Sequence, residues 1–160
     1  MKNLIAPIIL ALVAAVSSVI CARLSIPVWT MFIGWIAFVA GGMRASTAAP
    51  TFVSAVLGVV LGIVGALIIT GSAAAIGADL ALLVAVFVIV LLALLAQYVP
   101  FANVVVCYFI GMTTFFASAL PPEGVTAINL SIGLLVGVLS GLLAVTIAGM
   151  LQPKAVQSPA

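Results

Sequence analysis

Charged side chains are almost absent from this sequence of 160 residues. It contains two acidic residues, four Lys or Arg residues and no histidine. Soluble domains carry about 25% charged residues, whereas this chain carries 4%. So few charges cannot cover a surface that faces water, and the 68% of apolar residues predict an integral membrane protein in contact with a lipid bilayer. With a net charge of +2 and no basic run, nucleic acid is not an expected partner.

The same scarcity limits the chemistry that the chain can perform. Without histidine, neither a Ser–His nor a Cys–His nucleophile can form, and the carboxylates of Asp79 and Glu123 fall near predicted loops. Cys21 and Cys107 fall near opposite membrane faces, so no disulfide is expected between them. No cluster of side chains has the spacing of a metal site. The sequence therefore predicts a protein that is not an enzyme and uses no cofactor or metal ion.

Six apolar segments follow one another along the chain, separated by charge, proline or glycine. Each segment is continuously apolar rather than alternating, which indicates helices and not barrel strands. The predicted spans are residues 4–22, 28–43, 49–70, 78–99, 101–120 and 126–151. The first span is longer than the apolar part of a signal peptide, about 7–15 residues, so we expect it to be retained. The fold class is an all-α integral membrane protein of six transmembrane helices, with one domain over residues 1–151 and a disordered cytoplasmic tail over 152–160.

The distribution of Lys and Arg predicts the orientation of these spans. With the N-terminus inside, Lys2, Arg44 and Lys154 are cytoplasmic and only Arg23 is outside. Cytoplasmic loops carry an excess of Lys and Arg. Both termini are therefore predicted to be cytoplasmic.

One apolar phrase occurs twice. FIGWIAFVAGG, residues 32–42, returns 77 positions later as FIGMTTFFASA, residues 109–119, each time in the second of three spans. A three-span unit and its copy must enter the membrane with opposite orientations. The chain is therefore predicted to be a 3+3 inverted repeat, with halves of about 1–72 and 73–151, a design that recurs in transporters and channels.

Glycines in the repeated phrase mark a candidate pathway. Short or glycine-interrupted spans at matching positions of two halves point to a substrate path, and the second span, residues 28–43, is short. The polar groups within the spans are neutral hydroxyls and amides, which suit a small uncharged solute. The candidate pathway-lining residues surround the repeated glycines; they are Thr30, Gly34, Trp35, Phe38, Gly111, Thr113, Thr114 and Phe115.

Helix packing is the alternative interpretation of the glycines. Small residues four positions apart let membrane helices approach closely, and this pattern occurs in the third and sixth spans. The candidate helix-packing residues there are Gly58, Gly62, Gly133, Gly137 and Gly141. Packing is an alternative for Gly34 and Gly111 too, and threonine hydroxyls can bond back to their own helix.

Two functions are compatible with this sequence. The first is a channel or facilitator for a small neutral polar solute, such as urea, a short amide, a small alcohol or a dissolved gas. The alternative is a non-transporting scaffold, or an accessory subunit of a larger transporter, in which the glycines only pack helices. A bundle of this size has a thin interior, so we expect a homo-oligomer.

Three stretches carry a family resemblance. They are WTMFIGW (29–35), CYFIGMTTFFAS (107–118) and LSIGLLVGVLSGLLA (130–144). Together with the length and the succession of spans, they make the chain resemble the YcdZ-like family of small bacterial inner-membrane proteins. The resemblance implies a location in the inner membrane and assigns no activity, so it supplies no site residues.

Overall fold

The structure is a computed structural model that describes residues 4–151, and its regular elements are helices. The six α-helices are α1 Ile5–Arg23, α2 Val28–Ala40, α3 Ala45–Ile76, α4 Ala78–Leu95, α5 Val105–Ser118 and α6 Gly124–Leu151. A short 3-10 helix, Ala96–Tyr98, follows α4. The all-helical prediction is confirmed. The predicted tail, residues 152–160, lies outside the described residues, as do Lys2 and Lys154.

Four of these helices have the length and composition of membrane spans. They are α1, α3, α4 and α6. Large apolar side chains cover their outer faces; on α4, Leu83 and Phe87 are each 63% exposed. A continuous apolar surface of this kind requires lipid or protein around it, so the helices indicate a membrane protein.

The two remaining helices are shorter than the sequence predicted. α2 has 13 residues and α5 has 14, which gives each a length of about 20 Å at 1.5 Å per residue. A hydrocarbon core is about 30 Å thick. The prediction of six full spans therefore stays a prediction, although all six apolar segments do form helices.

Glycines decide where several helices end. The third span was predicted to end at residue 70, but α3 continues through Gly71 to Ile76. The break comes at Gly77, whose φ of 84° is accessible to glycine because it has no Cβ. Similarly, α2 stops at Ala40, three residues before its predicted end, because Gly41 and Gly42 follow and Gly42 has a φ of 96°.

The helices pack as two groups of three. α2 lies along α6 and α1 packs on the same helix, while α5 lies along α3 and α4 packs there. We call α1–α2–α6 the first bundle and α3–α4–α5 the second bundle. Each bundle therefore combines helices from both predicted halves of the chain. The bundles meet where α3 contacts α6 and where α2 contacts α5.

An apolar core joins the two bundles. Its buried residues come from four helices; they are Ala37, Ala55, Val59, Cys107, Phe115, Leu130 and Leu134. Small residues also let α4 approach its bundle, since Ala81, Ala85 and Ala93 are fully buried. Close packing of small residues is the usual basis of helix association in lipid, where no hydrophobic force acts between helices.

The short helices α2 and α5 are bounded by turns of the same kind. Ser25, Met43, Phe101 and Ala119 have φ between 52° and 68°, a region that costs a residue with a Cβ about 1–2 kcal/mol. One of them precedes and one follows each short helix. Ser25 and Phe101 are 76 positions apart, as are Met43 and Ala119. Left-handed turns therefore lie before and after both short helices, at positions with the same spacing along the chain.

Replacing Ala119 by glycine is expected to stabilise the protein, because glycine adopts a positive φ without the clash of a Cβ. The expected gain is about 0.5–1 kcal/mol, measured as a higher midpoint of thermal unfolding in detergent. The matched control is Ala117→Gly, an exposed helical position in α5, where the exchange costs about 1 kcal/mol of helix propensity. A midpoint for Ala119→Gly as low as that of the control would contradict the left-handed turn.

Candidate functional site

The first bundle contains a close crossing of α2 and α6 at Gly34 and Gly137. A Cβ built on Gly34 would overlap the carbonyl oxygen of Leu134, and one built on Gly137 would overlap that of Met31. The two helix backbones are therefore in direct contact. One turn further along, the ring of Phe38 covers Gly141, with its Cδ1 2.7 Å from where a Cβ would lie.

The second bundle contains a crossing of the same construction between α3 and α5. Gly111 lies against the carbonyl oxygen of Ala55, and Gly58 lies against that of Tyr108. Here the ring of Phe115 covers Gly62, with its Cδ1 2.9 Å from where a Cβ would lie.

The residues of the two crossings correspond one to one along the chain. Each α2 residue matches an α5 residue 77 positions later; the pairs are Met31 and Tyr108, Gly34 and Gly111, and Phe38 and Phe115. Each α3 residue matches an α6 residue 79 positions later; the pairs are Ala55 and Leu134, Gly58 and Gly137, and Gly62 and Gly141. In both crossings, residues later in one helix contact residues later in the other. Thus α2 runs parallel to α6, and α3 runs parallel to α5.

Four predicted pathway-lining residues lie in these crossings. Gly34 and Gly111 were expected to flank one passage, but each contacts the backbone of a long helix instead. Phe38 and Phe115 are buried, at 0% and 3% exposure, against the ladder glycines. The side of each repeated glycine on which a Cβ would lie is therefore occupied by a neighbouring long helix.

The predicted hydroxyls are spread over different surroundings. Thr30 is buried and donates to the carbonyl oxygen of Pro27 at 2.7 Å, and Thr114 donates to that of Ile110 at 2.8 Å. Both bonds stay within one helix or its first turn. Thr113 is exposed in an apolar groove between α2 and α5, and Trp35 is half-buried. The structure does not gather these side chains around one cavity.

The five predicted helix-packing glycines all lie at buried helix contacts. In addition to the four contacts already described, Gly133 lies against the hydroxyl of Thr30. Ile26 also approaches Gly133, with its Cγ2 3.6 Å from where a Cβ would lie.

A recess of about 300 Å³ opens directly beside this contact, between the α1–α2 turn and the start of α6. We call it the Asn129 recess; its lining residues are Leu24, Ser25, Ile26, Pro27, Leu120, Asn129, Leu130 and Ile132. The amide of Asn129 offers two donors and two acceptors, and Ser25 adds a hydroxyl. None of the eight residues is ionisable. The recess can therefore hold a small neutral solute through hydrogen bonds.

Sequence reasoning did not select Asn129 as a site residue. The available signal was an amide within the apolar sixth span, five positions after Gly124, where α6 begins. That signal alone does not tell which way the side chain faces. Only the fold of the α1–α2 turn against α6 gives the amide a recess to face.

A buried hydroxyl at the opposite end of the molecule has no hydrogen-bond partner among residues 4–151. Thr51 is 0% exposed, and its Oγ1 makes no hydrogen bond to any other described residue. It lies against Gly41, at the end of α2. An unpaired buried polar group costs about 1–3 kcal/mol, so a hydrogen bond to the hydroxyl of Thr51 would stabilise the conformation in which it forms.

Among residues 4–151, no three side chains of the His, Cys, Asp or Glu types lie close enough together to hold a metal ion. Cys21 and Cys107 are both free and buried. The candidate site therefore rests on neutral hydrogen-bonding groups.

Comparison with known proteins identifies a family. The model of a family described as "Protein of unknown function (DUF1097)" matches residues 7–149. No curated protein and no solved structure matches the chain. The resemblance to YcdZ-like proteins stays a prediction, because the match carries no such name.

Adding a methyl group at either crossing is expected to destabilise the protein. Gly58→Ala and Gly137→Ala each place a Cβ against backbone atoms that cannot move aside, at a cost of about 1–3 kcal/mol. The matched controls are Gly71→Ala in α3 and Gly149→Ala in α6, where a Cβ would meet no atom within 4 Å. These should be neutral or slightly stabilising through helix propensity. Thermal midpoints in detergent distinguish the sets; equal midpoints would contradict the crossings.

Proposed function

The chain belongs to this family of unknown function, and we propose that it is a membrane channel or facilitator for small neutral polar solutes. The observation that carries the proposal is the Asn129 recess, which combines hydrogen-bonding groups with an absence of ionisable side chains in its lining. Urea, short amides and small alcohols have this chemistry. Transport, rather than catalysis, is the proposed activity.

The proposal includes a 3+3 inverted repeat with six membrane crossings. Six alternating crossings require the second and sixth helices to run in one direction and the third and fifth in the other. The parallel contacts of α2 with α6 and of α3 with α5 support this arrangement. The matched crossings and the matched left-handed turns on either side of α2 and α5 support a repeat of three helices. Such repeats commonly place a substrate path at their junction.

In this proposal a solute reaches the protein through the Asn129 recess and continues along the seam between α2 and α6. Gly133 contacts both the hydroxyl of Thr30 and Ile26, which lines the recess, so one of the predicted pathway residues lies next to the recess lining. A recess of about 300 Å³ exceeds the volume of several water molecules, at about 30 Å³ each. Further passage requires the contact between Gly34 and Gly137 to loosen.

The proposed setting is the inner membrane of a bacterium, with both termini in the cytoplasm, and the proposed assembly is a homo-oligomer. The two short helices α2 and α5 contact each other and are about 10 Å shorter than the hydrocarbon core. Protein that presents too short a span to lipid relieves the mismatch by thinning the bilayer or by oligomerising. A second copy along α2 and α5 would also cover the exposed Thr113.

A non-transporting scaffold or accessory subunit is the second candidate. The observation that favours it is that Gly34 and Gly111 each lie against the backbone of a long helix, which is the contact expected of helix-packing positions. In this alternative the crossings serve rigidity alone. Flux measurements decide between the two candidates.

Purified protein in liposomes is expected to accelerate the uptake of urea, acetamide or glycerol several-fold over protein-free liposomes. Light scattering after rapid mixing measures the rate. The Asn129→Ala variant should lose at least half of the acceleration, because the recess loses its amide. The matched control is Gln97→Ala, an exposed amide that lies outside the recess and should leave the rate unchanged.

The proposal fails if correctly folded protein accelerates none of these solutes. An acceleration that is equal in wild type and Asn129→Ala would contradict the recess as the access point. Absence of transport, combined with stable co-purification of a second membrane protein, would favour the accessory subunit.

A further inference from the structure

We propose that the start of α5 contains a second solute site, the closed counterpart of the Asn129 recess, with Thr51 as its hydrogen-bonding group. A hydrogen bond between Val104 and Ser54 keeps this site shut. The inference rests on the proposed facilitator function and adds how access at its two ends is controlled.

The correspondence between the crossings locates the second site. At an offset of 77, the turn of residues 24–27 before α2 matches residues 101–104 before α5. At an offset of 79, Asn129 and Leu130 of α6 match Pro50 and Thr51 of α3. The counterpart of the recess is therefore the seam between residues 101–104 and the first turns of α3.

A hydrogen bond closes this seam. The backbone N–H of Val104 donates to Oγ of Ser54 at 3.3 Å, which ties the turn before α5 to α3. The matching positions at the Asn129 recess are Pro27, which has no N–H, and Gly133, which has no side chain. The same hydrogen bond cannot form between these two positions. At this end the turn before α2 leaves a recess of about 300 Å³.

A second hydrogen bond strengthens the closed end. The hydroxyl of Tyr108 donates to the carbonyl oxygen of Ala102 at 2.9 Å, which fixes the 101–104 turn over α5. The residue that matches Tyr108 is Met31, which has no hydroxyl. Both differences between the two ends therefore act in the same direction, toward closure at the start of α5.

At the closed end, the hydroxyl of Thr51 would gain a hydrogen-bond partner if the seam opened. Its hydroxyl is fully buried and unpartnered among the described residues, whereas its counterpart Leu130 lines the Asn129 recess. Thr51 lies three residues before Ser54 on α3, and its hydroxyl lies against Gly41. In this proposal, release of Val104 from Ser54 lets water or a neutral solute reach Oγ1 of Thr51 along this part of α3. A solute that hydrogen-bonds there would favour the open state, since ligands shift an equilibrium toward the state they bind better.

Thiol accessibility tests the closed site without any need for transport. In a background of Cys21→Ala and Cys107→Ala, a small water-soluble thiosulfonate reagent labels introduced cysteines. Asn129→Cys should react rapidly and Thr51→Cys at least tenfold more slowly. Adding Ser54→Ala to Thr51→Cys should raise its rate at least fivefold. The matched control is Ser72→Ala, since Ser72 bonds only within α3, to the carbonyl oxygen of Ile68.

Tyr108→Phe provides a second way to weaken closure if Ser54→Ala impairs folding, which thermal midpoints would reveal. The inference is overturned if Thr51→Cys reacts as rapidly as Asn129→Cys in the starting background. It is also overturned if neither Ser54→Ala nor Tyr108→Phe raises the Thr51→Cys rate in folded protein. A rate that responds to Ser54→Ala, in protein that transports no solute, would support the closed site and overturn the facilitator function alone.

Discussion

Backbone contact between helices, at Gly34 with Gly137 and at Gly58 with Gly111, is the constraint on which the rest of the structure depends. In lipid, helices associate through close packing rather than hydrophobic force, and a side chain at these positions would separate them. Both crossings lie near the middle of a long helix, α6 or α3. These contacts hold the short helices α2 and α5 near their centres. The turn before each short helix then lies beside the first turns of a long helix. The turn before α2 leaves a recess against α6, whereas the turn before α5 contacts α3.

A few side-chain and backbone groups make the Asn129 recess differ from the matching seam before α5. At one end Pro27 and Gly133 offer neither donor nor side-chain acceptor, and a recess remains. At the other end Val104 donates to Ser54 and the seam is closed. In the proposed inverted repeat, equivalent ends that are unequal would suit alternating access, and the difference between them lies in side-chain chemistry rather than in helix layout.

Much of this fold could be predicted from composition and periodicity, but the helix partners could not. Continuous apolar runs locate all six helices, although the third span was predicted to end at residue 70 and α3 continues to Ile76, because a glycine inside a long helix is only a weak break. The repeated Gly34 and Gly111 lie at the two helix crossings. Their partners are Gly137 and Gly58, from the opposite halves of the chain, and sequence spacing carries no information on which helix packs on which. Asn129 was missed for the same reason.

The most direct test of the account is the side of the membrane from which each end is reached. In sealed vesicles of known orientation, a membrane-impermeant thiol reagent is applied to one face and then to the other. The Asn129→Cys variant and the Thr51→Cys variant carrying Ser54→Ala should react from opposite faces, because the proposed repeat is inverted. Reaction of both variants from the same face would contradict the inverted repeat and, with it, a pathway between the two ends.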